Sequence, residues 1–294
     1  MANNTWIIAT DARIANLLEV AKPLGGKVTV IAVGDTAAKV SGADQVLSLP
    51  LAADQPVEAL APAVAAAITA TENDLILAAN NASSRVLAGY VAARLGAAVV
   101  SGAQSFSLSG EKVNVHRSGF GGIVKQTLAP AGAVVCVMDG GKETALDGTA
   151  ETISGETFTA AVTGVVDSGE APVELTSAKR IVALGRGFKN EADLEMARTL
   201  AAKLGAEIAC SRPLAEGQGW IEKARYIGVT GQHVAPELYV AIGISGQLQH
   251  MVGCRDAKQI VVINNDEKAP IFNHADYAIV GDLYQVLPAL NDAL

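Results

Sequence analysis

Residues 238–282 read LYVAIGISGQLQHMVGCRDAKQIVVINNDEKAPIFNHADYAIVGD. Three short, mostly apolar runs lie within them, at Leu238–Ile242, Gln259–Ile263 and Tyr277–Val280, and each ends at Gly, Asn or Asp. Short apolar runs closed by turn residues are the pattern of strands buried in a parallel sheet covered on both faces. The first run breaks into Gly243-Ile244-Ser245-Gly246, and from Gln247 onward the sequence reads as helix. A glycine turn between strand and helix presents free backbone N–H groups, a geometry that accepts phosphate or another anion. The second run exposes Asn264, Asn265 and Asp266 at its carboxyl end, and the third exposes Asp282. Ligands of open α/β sheets bind at those carboxyl ends. The stretch therefore predicts a nucleotide-cofactor site.

Working back toward the chain centre, the same logic repeats. Lys179–Leu184 reads as a strand that breaks into Gly185-Arg186-Gly187 before a helix over Glu191–Leu204. Glu207–Cys210 is a strand ending in Ser211-Arg212, and Arg225–Val229 is a strand ending in Thr230-Gly231. Successive tips at 185–187, 211–212, 230–231, 243–246, 264–266 and 282 thus carry Gly, Ser, Thr, Arg, Asn or Asp. Polar tips in such a series, all at one end of one sheet, point to a ligand rather than to surface decoration. The fold expected for 177–294 is a doubly wound parallel sheet.

The first half is expected to form a separate α/β domain over 1–170. Strands at Thr5–Ala9 and Val28–Val33 flank a helix at Asp11–Lys22, which is a β-α-β unit. Val46–Leu49 and Asp74–Ala79 are further strands, and Pro56–Ala70 is a second helix, strained at Pro62. Asn80–Ser84 leads into a helix over Arg85–Leu95, so this capped start beside Arg85 is a possible phosphate site or a plain N-cap. Four strands follow without helices, at Gln104–Leu108, Lys112–Arg117, Val124–Leu128 and Val134–Met138. With turns at Ser109-Gly110 and Gly119–Gly122, they predict an antiparallel meander that continues the sheet, with His116 on its solvent face. Thr163–Ala178 reads as the domain boundary. Either side of it, VAARLGAAVVS at 91–101 and LAAKLGAEIAC at 200–210 echo each other as a helix-to-strand solution used twice.

Composition narrows the function. The chain has 294 residues, half of them hydrophobic and only 4% aromatic, so its core is built from Ala, Val, Ile and Leu. A net charge of -8 offers no basic patch to neutralise phosphates, which argues against nucleic acid. Cys136, Cys210 and Cys254 are widely spaced and form no C-x-x-C, as in a reduced, cytoplasmic protein. His116, His233, His250 and His274 do not pair at ligand spacing, so no metal is expected. The N-terminus has no signal-peptide pattern, and no apolar run reaches the ~18 residues of a membrane span. Membrane insertion is not expected.

GRGFKN at 185–190, SRPLAEGQGW at 211–220, RYIGVTG at 225–231, VAPELYVAIGISGQLQH at 234–250, INNDEKAPIF at 263–272 and ADYAIVGDLYQVLP at 275–288 carry a resemblance. In this order they resemble the α subunit of the electron-transfer flavoproteins, within it the bacterial branch associated with acyl-CoA or carnitine metabolism. The resemblance implies FAD as cofactor and a β subunit as heterodimer partner, touching the N-terminal domain. It implies electrons received from an acyl-CoA-type dehydrogenase and passed to a quinone-linked oxidoreductase or a ferredoxin-like acceptor. It implies an electron carrier rather than an enzyme. It also implies residue roles. Arg186 would contact the phosphate region, and Ser211 and Arg212 would lie beside the flavin. Gly228, Val229, Thr230 and Gly231 would line it, with Thr230 near N5. The segment Ser245, Gly246, Gln247, Leu248, Gln249 and His250 would wrap the cofactor, with His250 toward the C2 carbonyl. Asn264, Asp282 and Leu283 would hold the adenosine end. Val229 stands where the family often has Gln, so a side-chain contact is lost. Asn265, where Lys is common, reads as peripheral.

Elementary electrostatics supports these assignments. Reduction of a flavin places negative charge on its N1–C2=O edge, which a fixed arginine and an imidazole stabilise. A charge-assisted hydrogen bond contributes roughly 1.5–3 kcal/mol, which for one electron raises the potential by roughly 60–130 mV. Arg212, His250 and Thr230 are therefore the candidate redox-tuning residues, and the carrier needs no acid–base pair. The competing reading is a non-redox module that binds NAD or an adenine nucleotide for regulation. Arg212 and His250 discriminate, because such a module has no use for positive or proton-donating groups at a redox ring.

Overall fold

The computed structural model describes residues 3–120, 124–165 and 175–294. The chain divides into two compact units, Met1–Asp167 and Ser168–Leu294. Residues 166–174 of the boundary stretch and 121–122 of the Gly119–Gly122 turn lie outside the described residues.

The first unit is a parallel sheet with a small antiparallel sheet beside it. Its strands are β1 (Asn3–Ala9), β2 (Gly25–Val33), β3 (Gln45–Leu49), β4 (Leu75–Ala79), β5 (Ala98–Ser101), β6 (Ala103–Ser109), β7 (Lys112–Gly119), β8 (Val124–Leu128), β9 (Val134–Met138) and β10 (Glu151–Thr152). The main sheet has the order β10-β3-β2-β1-β4-β9-β5 with every pairing parallel. Helices α1 (Ala15–Ala21), α2 (Ala61–Ala67) and α3 (Ala82–Leu95) connect its strands. One face packs Ile7, Leu17, Val30 and Leu77, and the other packs Ile8, Val64, Ile76 and Leu87. Both faces are thus dry, which is why β2, β4 and β9 read as unbroken apolar runs.

Three expectations are corrected here. The meander does not continue the main sheet: β6, β7 and β8 form their own antiparallel sheet, where His116 is held between Ser107 and Thr127 at 2.9 Å on each ring nitrogen. Val134–Met138 instead returns to the main sheet between β4 and β5, and all its residues are buried. The 56–70 helix is broken. A 3-10 turn at Val57–Leu60 precedes α2, and Pro62 sits in the first turn of α2, where its missing N–H has no helical partner to lose. The 11–22 helix starts only at Ala15, because the Asp11 carboxylate accepts the Arg13 N–H at 2.8 Å and holds a turn there.

The second unit is a parallel sheet of β11 (Arg180–Leu184), β12 (Glu207–Cys210), β13 (Leu238–Ile242), β14 (Ile260–Asn264) and β15 (Tyr277–Val280), in the order β12-β11-β13-β14-β15. Helices α4 (Leu194–Leu204) and α6 (Leu283–Ala293) pack Leu194, Ala197, Leu200, Leu283 and Leu287 on one face. Short turns and the single-turn helix α5 (Leu248–Met251) cover the other face over Tyr239, Ala241 and Val262. The 91–101 and 200–210 echo is realised in the backbone: α3 and α4 both end on a left-handed glycine, Gly96 at φ 61° and Gly205 at φ 58°.

Two strand expectations change. Arg225–Val229 is not a strand. A 3-10 turn at Lys223–Arg225 leads to two isolated bridges, Cys210 to Tyr226 and Ile227 to Gln232, with a turn at Gly228 between the bridged residues Ile227 and Gln232. Tyr277–Val280 is a strand but not a buried one: as the last strand of the sheet it has every residue exposed.

Candidate functional site

In a sheet ordered β12-β11-β13-β14-β15, consecutive parallel crossovers leave β11 in opposite directions. The order therefore reverses between β11 and β13, the switch point at which sheets of this kind open a crevice beyond the strand ends. A cleft of about 590 Å³ occupies that position, within the range of roughly 300–1,000 Å³ typical of ligand sites. Its floor is a backbone crossing. A Cβ added at Gly243, where φ is +62°, would stand 2.9 Å from the Gly187 Cα, and one added at Gly185 would stand 2.2 Å from the Gly243 oxygen. Only side-chain-free turns let the two tips meet, and this meeting brings main chain rather than side chains to the cleft floor.

The tips then supply polar groups in order. β11 contributes Arg186, with Lys189 three residues on, and β12 contributes Ser211 and Arg212. The Tyr226 bridge segment contributes Gly228, Val229 and Thr230. β13 contributes Ser245, Gly246, Gln247, Gln249 and His250. β14 contributes Asn264, and the start of α6 contributes Asp282, Leu283 and Tyr284. Two expected residues stand elsewhere. Leu248 is 42% exposed and is absent from the cleft wall. Gly231 also lies off the wall, behind Tyr226, and its N–H donates to the Gly228 carbonyl at 2.9 Å. Asn265, read as peripheral, is part of the wall. Asp266, read at the same strand tip, lines the cleft too, and so do Lys189, Tyr226 and Tyr284, which were not singled out from the sequence.

The local chemistry departs from the expected roles in several places. His250 is buried, and both its nitrogens have protein partners: Nδ1 at 3.1 Å from the Ile227 carbonyl and Nε2 at 2.8 Å from the Tyr239 hydroxyl. A carbonyl only accepts, so Nδ1 carries the proton and Nε2 accepts from the tyrosine. Burial pushes the His250 pKa down to about 4, so the ring is neutral. The imidazole therefore presents a dipole rather than a charge. Arg212 is paired with Glu216, Nε to Oε2 at 2.5 Å, and that hydrogen bond holds the guanidinium above and the carboxyl below their ordinary values. Its side chain remains 65% exposed.

Asn264 is structural as well as lining. Its Nδ2 donates to the Ile244 carbonyl at 2.8 Å and its Oδ1 accepts from the Asp266 N–H at 2.9 Å, which stitches the β14 tip to the β13 loop. Asp282 caps α6 by accepting from the Tyr284 N–H at 3.0 Å. The Tyr284 hydroxyl donates to Asp193 at 2.6 Å and accepts from the Lys189 N–H at 2.7 Å, while the Lys189 ammonium lies 5.0 Å from the ring centroid. The Tyr284 hydrogen bond is the main reason the Asp193 carboxyl sits below its usual value. The expected phosphate-binding helix start after Gly246 is reduced, because α5 has only four residues and so carries little of a helix dipole.

The donor set fits FAD. Arg186, Lys189 and Arg212 bring positive charge to a cleft whose lining carboxylates are Asp266 and Asp282. The glycine floor admits a phosphate close to the main chain, and the carboxylate of Asp282 suits sugar hydroxyls. Among the described residues no group of three or more His, Cys, Asp or Glu is arranged to hold a metal, and no helix is long and apolar enough to cross a membrane. Cys136, Cys210 and Cys254 are buried and free, and burial pushes each thiol up to about 12.

Comparison with known proteins agrees with this chemistry. The family model described as electron transfer flavoprotein FAD-binding domain matches residues 174–255, and the one described as electron transfer flavoprotein domain matches residues 12–163. Protein FixB of Salmonella typhimurium (strain LT2) is 34% identical over 99% of this chain and 98% of its own length. Protein FixB of Escherichia coli O1:K1 / APEC is 35% identical over 99% and 98%. YdiR of Escherichia coli (strain K12), provisionally named an electron transfer flavoprotein subunit, is 37% identical over 80% of this chain and 78% of its own.

Proposed function

The chain belongs to the electron transfer flavoprotein α-subunit family, and on that premise we propose that the crevice between β11 and β13 is where it holds FAD. FAD is the cofactor of its matched C-terminal domain. The observation that carries the proposal is the cleft itself, placed at the switch point of the sheet, floored by crossing glycine turns and lined by cations and amides.

When bound, FAD supplies the one-electron chemistry, and this chain supplies position and field. Arg186 and Lys189 neutralise phosphate charge at the β11 turn. Asp282, beside Leu283, accepts from sugar hydroxyls. Ser211 and the amides of Gln247 and Gln249 offer hydrogen bonds along the wall, and Thr230 offers a hydroxyl at its rim. Arg212 is the charge that tunes the potential, attenuated by Glu216. His250, neutral and held between Tyr239 and Ile227, orients the wall through its dipole. Val229, half-exposed, is an apolar surface that a ring would cover.

The proposal extends to partners. The family implies a β subunit and electron transfer. The chain would work in the cytoplasm as a carrier that makes no product, in the acyl-CoA or carnitine branch. It would take electrons from an acyl-CoA-type dehydrogenase and hand them to a quinone-linked oxidoreductase or a ferredoxin-like acceptor. The test is to purify the chain with its β-type partner, count FAD per α chain from the visible spectrum, and follow stepwise reduction by an acyl-CoA dehydrogenase with its substrate. One FAD per α chain, reduced through the dehydrogenase, is expected. A colourless complex that binds only adenine nucleotides would overturn the proposal.

A further inference from the structure

Thr230 stands on an exposed turn at the cleft rim, yet its hydroxyl is hydrogen-bonded to the hydroxyl of Tyr226 four residues earlier. A threonine on an exposed turn otherwise exchanges its hydrogen bonds with water and among rotamers. The tyrosine cannot follow it about. The residue is 7% exposed, its carbonyl accepts from the Gln232 N–H at 2.8 Å, and its backbone bridges to Cys210. Gly231 closes the remaining side. A Cβ there would lie 2.4 Å from the Tyr226 carbonyl oxygen and 2.5 Å from Cε2 of the ring, so only glycine lets the turn fold down on the aromatic face. This is the reason Gly231 matters to the cleft although it does not line it. Tyr226 itself is part of the cleft wall.

The acidity of the two groups favours one direction of the bond. Either hydroxyl can donate in this pair; the phenol is the stronger donor, and the direction in which the tyrosine donates is the one that leaves the threonine proton for the cleft. Thr230 then keeps its own proton, and with one lone pair occupied that proton has fewer directions left. We propose that Tyr226 is a positioning residue that holds the Thr230 hydroxyl as a donor into the cleft, and so sets the strength of the one side-chain hydrogen bond this turn offers the cofactor ring. The inference rests on the reading that FAD lies against the 226–230 wall. Val229 offers no polar side chain, so Thr230 is the group of the 228–230 rim that can make such a bond.

The experiment uses the FAD-loaded complex with the β-type partner and a double-mutant cycle of Tyr226→Phe and Thr230→Val. Tyr226→Phe keeps the ring packed on Gly231 and removes only the hydroxyl. It is expected to leave FAD at wild-type stoichiometry, to shift the visible flavin bands, and to lower the midpoint potential by about tenfold in the one-electron equilibrium, ~59 mV. In the Thr230→Val background the same change is expected to have no further effect, and in Thr230→Ser, which keeps a hydroxyl, it is expected to act as in wild type. An unchanged potential and spectrum in a fully loaded Tyr226→Phe complex would overturn the inference and leave the FAD reading intact. Equal shifts with and without the Thr230 hydroxyl would also overturn it, because the ring would then be acting through packing alone. A wild-type complex that binds no FAD would overturn the functional reading and the inference with it.

Discussion

The sheet of each unit has a switch point, where a crevice can open, and the two have opposite fates. In the second unit the β11 and β13 tips meet through Gly187 and Gly243, and their side chains face an open cleft. In the first unit the corresponding tips, after β1 and β4, bind each other. Thr10 Oγ1 lies 3.0 Å from Ser84 Oγ, and Asn81 Nδ2 donates to Thr10 and Asp11 at 3.3 Å each. Asn81 Oδ1 accepts the Ser84 N–H at 2.8 Å, so the start of α3 is capped by its own chain. The 139–141 turn presses down on the turn before α1: a Cβ at Gly140 would stand 2.0 Å from the Arg13 carbonyl oxygen. A doubly wound sheet supplies the place for a ligand. Whether the place is a site depends on whether the tips' polar groups are left facing outward or are satisfied by each other. The candidate phosphate site at Asn80–Arg85 is, in this structure, a helix cap.

The sharpest way to break the contrast is to fill the open crevice. Gly243→Val puts a branched side chain at a left-handed residue whose Cβ meets Gly187, and it is expected to abolish FAD binding while leaving the first unit folded. Visible absorbance of the purified complex and the thermal transition of the first unit check this. The next effect concerns His250. Its pKa falls from an ordinary 6.5 to about 4 on folding, so the unfolded chain takes up a proton first as pH drops. Stability of the second unit is therefore full above pH 6.5, declines through the interval, and levels off below about 4, a loss on the order of 3 kcal/mol. Denaturant titrations across that range should show the loss in wild type and not in His250→Asn, offset by whatever the substitution costs at neutral pH. Asn81→Ala removes the cap from the closed crevice and is expected to cost the first unit about 1 kcal/mol, with FAD stoichiometry and potential unchanged. The smallest effect is Glu216→Gln. Freeing Arg212 from its partner should raise the flavin potential modestly, and the shift should shrink as salt is added.

Much of this was legible in the sequence. β11, β12, β13 and β14 are mostly apolar runs whose ends hold residues that line the cleft, so strand-tip reasoning reached Arg186, Ser211, Arg212, Ser245 and Asn264; Thr230 was reached from a strand that does not form, and His250 only through the family resemblance. What it missed is set by distant partners. Nothing local marks Tyr277–Val280 as an exposed edge, since its apolar run looks like that of β14. Val134–Met138 follows three antiparallel strands in sequence and looks like a fourth, but unbroken burial rather than alternation was the available sign of a central parallel strand. Lys189 and Tyr284 sit one turn past their strand tips, and their contact joins residues far apart in the chain. The neutral state of His250 comes from its burial, and its tautomer from Ile227 and Tyr239, which converge on it only in the folded sheet.

Hydrogen–deuterium exchange of the complex with its β-type partner, before and after loading with FAD, compares the two crevices in one experiment. The account predicts that FAD slows exchange at 185–189, 211–212, 226–230, 243–250, 264–266 and 281–284, and leaves 10–13, 80–85 and 139–141 unchanged. Protection centred on 80–85 and 139–141, with the second unit indifferent to FAD, would contradict it.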